Sequence, residues 1–184
     1  MKALIYGVGV IGSLTAHALC RAGNDVTLVA RGRWKQALDR RGLKIRKFSG
    51  SREWTDHPRI LDEYDEGSVD VVFSVMQNQQ QWSVLDALAK VRAKRIVLVG
   101  NNLESARMQE KLKRLRNDRM EIFFAFQTSG GQRYRDYTQV VSFGRPEFVI
   151  GCLVGEPNRR DQDFFRRLFR GSPAFSSFPK KDLH

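Results

Sequence analysis

The sequence predicts an α/β fold: a doubly wound, mostly parallel sheet with an antiparallel hairpin towards the C-terminus. Three observations predict it. Short apolar runs alternate with amphipathic stretches of helical period, the rhythm of β-α-β units. Several of those runs, at residues 25–30, 69–75, 95–99 and 121–126, are apolar on consecutive positions, as strands covered on both faces must be. The first run, Lys2-Ala3-Leu4-Ile5-Tyr6, passes directly into Gly7-Val8-Gly9-Val10-Ile11-Gly12. That G-x-G-x-x-G spacing, with a strand before it and a helix after it, opens a Rossmann-like, dinucleotide-binding unit.

Each glycine has a task. Gly7 turns the chain sharply off the strand, Gly9 lets a pyrophosphate approach bare backbone, and Gly12 lets the helix pack closely on the sheet. Val10, Ile11, Leu14, Ala18 and Ala22 recur near helical spacing, so the helix follows at once. Its first turn offers unpaired N–H groups and a partial positive charge to phosphates. Gly23 stops it, and residues 25–30 form the next strand. An NAD site places a carboxylate about 20 residues past the glycines, on the ribose 2′-hydroxyl. Here positions 30–33 read Ala-Arg-Gly-Arg, and the next acid is Asp39. Arg31 attracts a 2′-phosphate that a carboxylate would repel, so the cofactor predicted is NADP(H). Arg33 and Lys35 either assist or are solvated loop charges.

Residues 34–41 predict a short helix ended by Gly42, and residues 43–48 alternate apolar and basic side chains as a half-exposed strand does. Residues 49–67 are polar and turn-rich. They predict irregular connections around one short strand at most, with His57 a surface loop residue. The strand at 69–75 ends in Met76-Gln77-Asn78-Gln79-Gln80-Gln81, on the sheet edge where α/β proteins bind ligands. These amides either contact ribose, adenine or phosphate, or cap the helix at 79–90, which buries Trp82, Leu85 and Leu88. The strand at 95–99 ends in Gly100-Asn101-Asn102, whose amides hold a sugar or substrate carbonyl or cap the next helix. That helix runs to about Arg116 with Met108, Leu112 and Leu115 inward. A strand at 121–126, a polar turn at 127–131, a hairpin of 139–144 with 146–151, and a helix from Asn158 to Phe169 follow. The last helix buries Phe164, Phe165, Leu168 and Phe169 among five arginines. The domain is expected over residues 1–171, with a polar, loop-like tail at 172–184.

The chain of 184 residues suits one domain with a sizeable core, and no apolar run is long enough to span a bilayer. Residues 1–20 superficially resemble a lipoprotein signal, but Leu19 before Cys20 is not small and the strand-turn-helix reading explains more of them. A cytoplasmic location is therefore expected. Cys20 and Cys152 form no CxxC pair and are expected to be buried free thiols. The net charge of +12 favours anionic partners. Lys111, Lys113, Arg114, Arg116 and Arg119 cluster at one helix end, but no aromatic interleaving or known motif accompanies them, which argues against a nucleic-acid partner.

With these segments placed, the chain resembles the N-terminal half of the ketopantoate reductase (2-dehydropantoate 2-reductase) family. The resemblance rests on Gly7 to Gly12, on Asp25-Val26-Thr27-Leu28-Val29-Ala30-Arg31, on Gly100-Asn101-Asn102, and on Phe126-Gln127-Thr128-Ser129-Gly130-Gly131 followed by the segments around Phe143-Gly144 and Ile150-Gly151. It implies hydride transfer from NADPH to a 2-keto acid on the route to pantothenate. Carried over by position, Gly7, Val8, Gly9, Val10, Ile11 and Gly12 cradle the pyrophosphate and Arg31 binds the 2′-phosphate. Gln80 lies on the cofactor side, and Asn101 near nicotinamide and substrate. Gln77 stands where the family usually has a lysine, and Asn102 where it has a glycine, so the substrate is that of a divergent branch. The family's catalytic lysine belongs to an all-helical domain expected beyond residue 184; Lys180 and Lys181 are not its substitutes. The resemblance thus implies a cofactor-binding domain that is inactive alone, takes a 2-keto acid only with a helical domain supplied, and self-associates through the apolar face left open. A non-catalytic NADP(H)-binding regulatory or docking module is the alternative, and a basic nucleic-acid-binding protein a third.

Overall fold

The computed structural model describes residues 1–48, 52–64, 67–116 and 120–179. Arg119, Lys180 and Lys181 lie outside them, as do parts of the expected 49–67 connection and of the tail. The order of elements is β1 (Lys2–Tyr6), α1 (Val10–Arg21), β2 (Asp25–Val29), α2 (Gly32–Arg41), β3 (Leu43–Lys47), β4 (Glu53–Asp56), β5 (Arg59–Leu61), β6 (Ser68–Val69), β7 (Val71–Val75), α3 (Asn78–Lys90), β8 (Arg92–Ala93), β9 (Arg95–Val99), α4 (Ser105–Leu115), β10 (Glu121–Gln127), β11 (Gly130–Arg133), β12 (Thr138–Val141), β13 (Glu147–Gly151), α5 (Arg159–Leu168) and β14 (Phe175–Ser177).

Eight strands form the main sheet in the order β14-β13-β10-β9-β7-β1-β2-β5. From β5 across to β10 every pairing is parallel, and β13 then joins β10 antiparallel. β1 has β2 on one side and β7 on the other, so the winding reverses beside it. That places the ligand-binding crevice of an open α/β sheet at the carboxyl end of β1. Alternate residues of β1 serve opposite cores: Ala3 and Ile5 join the cluster containing Leu19, Phe73 and Phe165, whereas Leu4 and Tyr6 join that of Leu85, Leu98 and Leu112. Both faces are covered, which is why these strands read as continuous apolar runs.

A second sheet, β11-β12-β3-β4, lies over the other side of α1. Thr138 Oγ1 donates to Ser13 Oγ at 3.2 Å, and His17 Nδ1 lies 2.5 Å from Asp56 Oδ2. α1 is therefore clasped between sheets, and every residue from Gly12 to Leu19 is buried, polar Ser13, Thr15 and His17 included. α5 caps the core near the far edge of the main sheet: Phe165 meets Phe123 edge-on at 5.1 Å, and Phe169 stacks on Phe148 at 5.1 Å. Beneath it, Arg95 Nε donates to Asp161 Oδ1 at 2.8 Å, both side chains buried.

Several expectations change. Residues 139–144 and 146–151 do not pair with each other. The antiparallel hairpin is β11 with β12, and β12 then joins β3, while β13 joins β10. Each strand buries alternate residues, but Thr138 and Val140 face α1, whereas Phe148 packs in the α5 cluster. Alternation shows that a face is buried, not which core covers it. The tail is not wholly loop-like, because β14 extends the sheet beside β13. The 49–67 connection holds two strands, β4 and β5. Leu115 is 46% exposed rather than inward, Trp82 is half-buried with Nε1 on Glu104 Oε2 at 2.8 Å, and the free thiols Cys20 and Cys152 are only partly buried.

Candidate functional site

The glycine turn separates into two kinds of position. Gly7 has φ +88°, and a Cβ there would sit 2.3 Å from the Val75 carbonyl oxygen. A Cβ on Gly12 would lie 1.8 Å from the Gly7 oxygen. Backbone packing demands glycine at both. Gly9 is different, because a Cβ there meets nothing within 4 Å. It is also the N-cap of α1, with no side-chain cap and no acid in the first turn. The amino end of the helix therefore opens onto space rather than onto protein.

That space is a cleft of about 670 Å³. Gly9, Val10, Ile11 and Gly12 line it from the turn, Gln77 and Gln80 from the start of α3, and Asn101 from the loop after β9. The topology brings them together because β1, β7 and β9 are parallel neighbours whose carboxyl ends lie side by side. The side chains of Gln77, Gln80 and Asn101 are exposed and make no hydrogen bond among the described residues. Phe126 and Gln127, from the end of β10, complete the lining. Gly7 and Val8 support the turn from outside the lining.

Gln81, one residue on, has another job. It is fully buried, its Nε2 donates to the Ser74 oxygen at 2.9 Å and to the Val99 oxygen at 3.3 Å, and it accepts from Ser74 Oγ at 2.5 Å. It ties β7 to β9 and holds the cleft floor together. Asn102 donates to the Leu98 oxygen at 3.2 Å rather than capping α4. The Oδ1 atoms of Asn78 and Asn102 are buried with no hydrogen-bond partner among the described residues. Of these two, Asn78 lines the cleft; open space at Gly9, an uncapped helix start and that orphaned amide oxygen are what a dinucleotide would fill, so the residues present fit that group.

Arg31 stands apart. It is the N-cap of α2, its side chain is 73% exposed, and it does not line the cleft. It borders a separate depression with Tyr6, Glu63 and Tyr64. Its Nε donates to the Asp62 oxygen and its Nη2 to Glu63 Oε1, both at 3.4 Å. Burial pushes the Tyr6 phenol up, against the smaller lowering effect of Arg31. Sequence reading missed Glu63 because it lies 32 residues away and reaches Arg31 only through the pairing of β5 with β2. Lys35 Nζ donates to Asp39 Oδ2 at 2.9 Å and lies 3.6 Å from Asp62 Oδ2, on the residue whose backbone oxygen Arg31 contacts. His57 is exposed, as expected, and no cluster of metal-ligating side chains occurs among the described residues. The basic residues of α4 are engaged locally: Lys111 Nζ with Asp86 at 2.7 Å, Arg114 with Glu110, and Arg116 Nη1 with the Val91 oxygen at 2.6 Å.

Comparison with known proteins agrees with this geometry. The family model described as "Ketopantoate reductase PanE/ApbA" matches residues 3–155. A 2-dehydropantoate 2-reductase of Pyrococcus horikoshii is 51% identical over 45 residues, 24% of this chain and 15% of that protein. Among solved structures, the 2-dehydropantoate 2-reductase of Geobacter metallireducens superposes with TM-score 0.80 at 17% identity, covering 97% of this chain and 58% of that one. A D-mandelate dehydrogenase solved with NADH and anilino(oxo)acetate superposes with TM-score 0.77 at 20% identity, covering 98% and 57%. This chain thus spans about three fifths of the length of these solved structures. No helix among the described residues is long and apolar enough to cross a membrane. The match over residues 3–155, which span the glycine turn and the strand ends that line the cleft, places this chain in the ketopantoate reductase family.

Proposed function

We propose that this chain is the NADP(H)-binding domain of a ketopantoate reductase-like oxidoreductase, in which hydride passes from NADPH to a 2-keto acid such as 2-dehydropantoate. The observation that carries the reading is Gly9, the one glycine of the turn whose missing side chain leaves space rather than relieving a clash. The pyrophosphate lies there against the amides of the first turn of α1. Gln77 and Gln80 hold the ribose and phosphate side, and Asn101 lies towards the nicotinamide. The bound cofactor supplies the hydride, and the protein positions it. Arg31 selects the 2′-phosphate; its exposed contact with Glu63 is weak and gives way to a dianion.

The same cleft supports inactivity of this chain alone. Reduction of a ketone needs a proton for the developing alkoxide and a counter-charge for the substrate carboxylate. None of the residues lining the cleft titrates or carries charge. Those groups come from elsewhere, and a helical domain packed over the cleft is their source. The half-exposed Phe126 at the cleft belongs to the face that such a domain covers, and to self-association in its absence. Fluorescence titration tests the proposal: NADPH binds at least about tenfold more tightly than NADH, and 2-dehydropantoate added to the complex leaves absorbance at 340 nm unchanged. Equal affinity for the two nucleotides rejects Arg31 as selector, and steady oxidation of NADPH rejects the inactive domain.

A further inference from the structure

We propose that the concavity between α2 and the β11–β12 hairpin is a second anion site, built for a small, multiply charged phosphorylated ligand. It encloses about 610 Å³, within the range of small-molecule sites. Arg33, Arg40 and Arg41 reach it from α2, and Arg133 and Arg135 from the hairpin, with Asp136 the one carboxylate in the lining. Asp136 is taken by Arg41, Nη1 to Oδ2 at 2.6 Å. Arg33, Arg40 and Arg135 have no ion pair or hydrogen bond among the described residues. Lys111, Arg114 and Arg116, by contrast, are engaged by Asp86, Glu110 and a backbone oxygen. Five arginines against one aspartate therefore put a net positive charge around one hollow. The indole Nε1 of Trp34, which also lines the hollow, is a buried donor with no acceptor among the described residues.

Guanidinium forks converging from two elements match the several oxygens of a phosphorylated group better than a single carboxylate. The aromatic rings argue for a compact ligand over a nucleic acid. Tyr134 and Tyr137 stack on each other at 4.6 Å, Arg46 covers Tyr137 at 4.0 Å, and Arg133 lies over Trp34 at 5.2 Å. The faces that unpaired bases would need are engaged. The site shares no residue with the glycine cleft, although Arg133 Nη1 reaches the Val8 oxygen at 3.4 Å.

The test is calorimetric titration of the chain with inorganic pyrophosphate at physiological salt, with and without NADPH. One equivalent binds in both conditions. Arg40→Gln and Arg135→Gln each weaken binding on the order of tenfold, while Lys113→Gln, removing the same charge from α4, leaves it within about twofold. Circular dichroism melts check that each variant folds, and Arg33→Gln replaces one that does not. The site is rejected if pyrophosphate does not bind at millimolar concentration, or if Lys113→Gln weakens it as much as the arginine variants. It is rejected equally if NADPH displaces the anion, which then sits on the glycine turn, or if a 20-nucleotide single strand binds the same arginines more tightly than pyrophosphate. Absence of NADPH binding bears on the dinucleotide cleft alone, since the arginine variants are still read against pyrophosphate.

Discussion

Alanine at Gly9 and alanine at Gly12 should fail in opposite ways. At Gly9 the backbone is extended with φ −81°, and the new methyl meets no protein atom within 4 Å. Losing a glycine narrows the unfolded ensemble, a gain of about 0.4–1 kcal/mol. Losing the better N-cap costs about the same. The net change is within about 1 kcal/mol, or roughly 2–4 °C for a chain of this size. The methyl occupies the floor on which the pyrophosphate rests, so NADPH affinity falls by tenfold or more, about 1.4 kcal/mol. At Gly12 the new Cβ would lie 1.8 Å from the Gly7 oxygen, with the Val75 Cβ behind it at 3.5 Å. Backbone cannot step aside as a side chain does, so overpacking costs at least about 3 kcal/mol. The melting temperature drops by roughly 6–12 °C. Thermal melts and NADPH fluorescence titrations on the two variants read both effects. Unchanged NADPH affinity in Gly9→Ala refutes the assignment of the cleft, whatever the melts show.

Four further outcomes follow from the same geometry. Arg31→Ala lowers NADPH affinity by tenfold or so and leaves NADH unchanged, while Glu63→Gln strengthens NADPH a few-fold by freeing Arg31; the pair of nucleotide titrations checks both. Gln77→Lys restores a cation at the mouth of the cleft and strengthens NADPH a few-fold at low salt, a gain that fades above about 0.5 M NaCl as screening shortens. Asp161→Asn strips the charge partner from buried Arg95 and costs about 3–5 kcal/mol, read as a fall in melting temperature with NADPH affinity per folded molecule unchanged. Burial, with a smaller contribution from Asp56, pushes the Cys20 thiol up to about 12 from an ordinary 9.0. The folded state thus holds the proton that the unfolded state releases, so this contribution to stability is intact below pH 9 and is lost as pH rises towards 12. Iodoacetamide should accordingly label Cys20 much more slowly in the folded chain than in urea at pH 9, which mass spectrometry of the labelled peptides resolves.

The parts legible in sequence were those set by local rules. The turn at residues 7–12 declares strand, turn and helix through backbone geometry alone, and consecutive apolar runs declare doubly covered strands. The amphipathic α5 declares its inward Phe164, Phe165, Leu168 and Phe169, all buried as expected. What escaped was set by pairing at long range. The partners of His17 and Ser13 are one example, because nothing near them in sequence announces a second sheet supplying Asp56 and Thr138. The destination of β12 depends on a core that its own alternation cannot name. Among the run of amides at 77–81, helical phase divides the work: Gln77 and Gln80 stay on the cleft side, and Gln81 turns under the sheet to Ser74 and Val99. The alternation of β11 was hidden because all four of its residues are exposed.

The placement of charge carries the last step. The chain has a net charge of +12, yet the cleft offered to a dinucleotide has no charged side chain in its lining. Phosphates bound there as proposed would be balanced by the dipole and amides of α1, which are fixed in space and need no ordering of long side chains. In the proposed function the side-chain cation is Arg31, outside the cleft lining beside a separate depression, where it would discriminate between dinucleotides away from the reacting end. Asn101 and Phe126, both neutral, line the part of the cleft where the proposed function would place the nicotinamide, so a proton donor brought over it would meet no competing charge there. The proposed function would thus divide the labour physically: these residues would bind and aim the hydride source through backbone and amides, and the charged chemistry of the substrate would fall to groups outside this cleft. Charged substitution at Asn101, as in Asn101→Lys, therefore bears on substrate rather than on cofactor, and a loss of NADPH affinity in that variant as large as in Gly9→Ala contradicts the division.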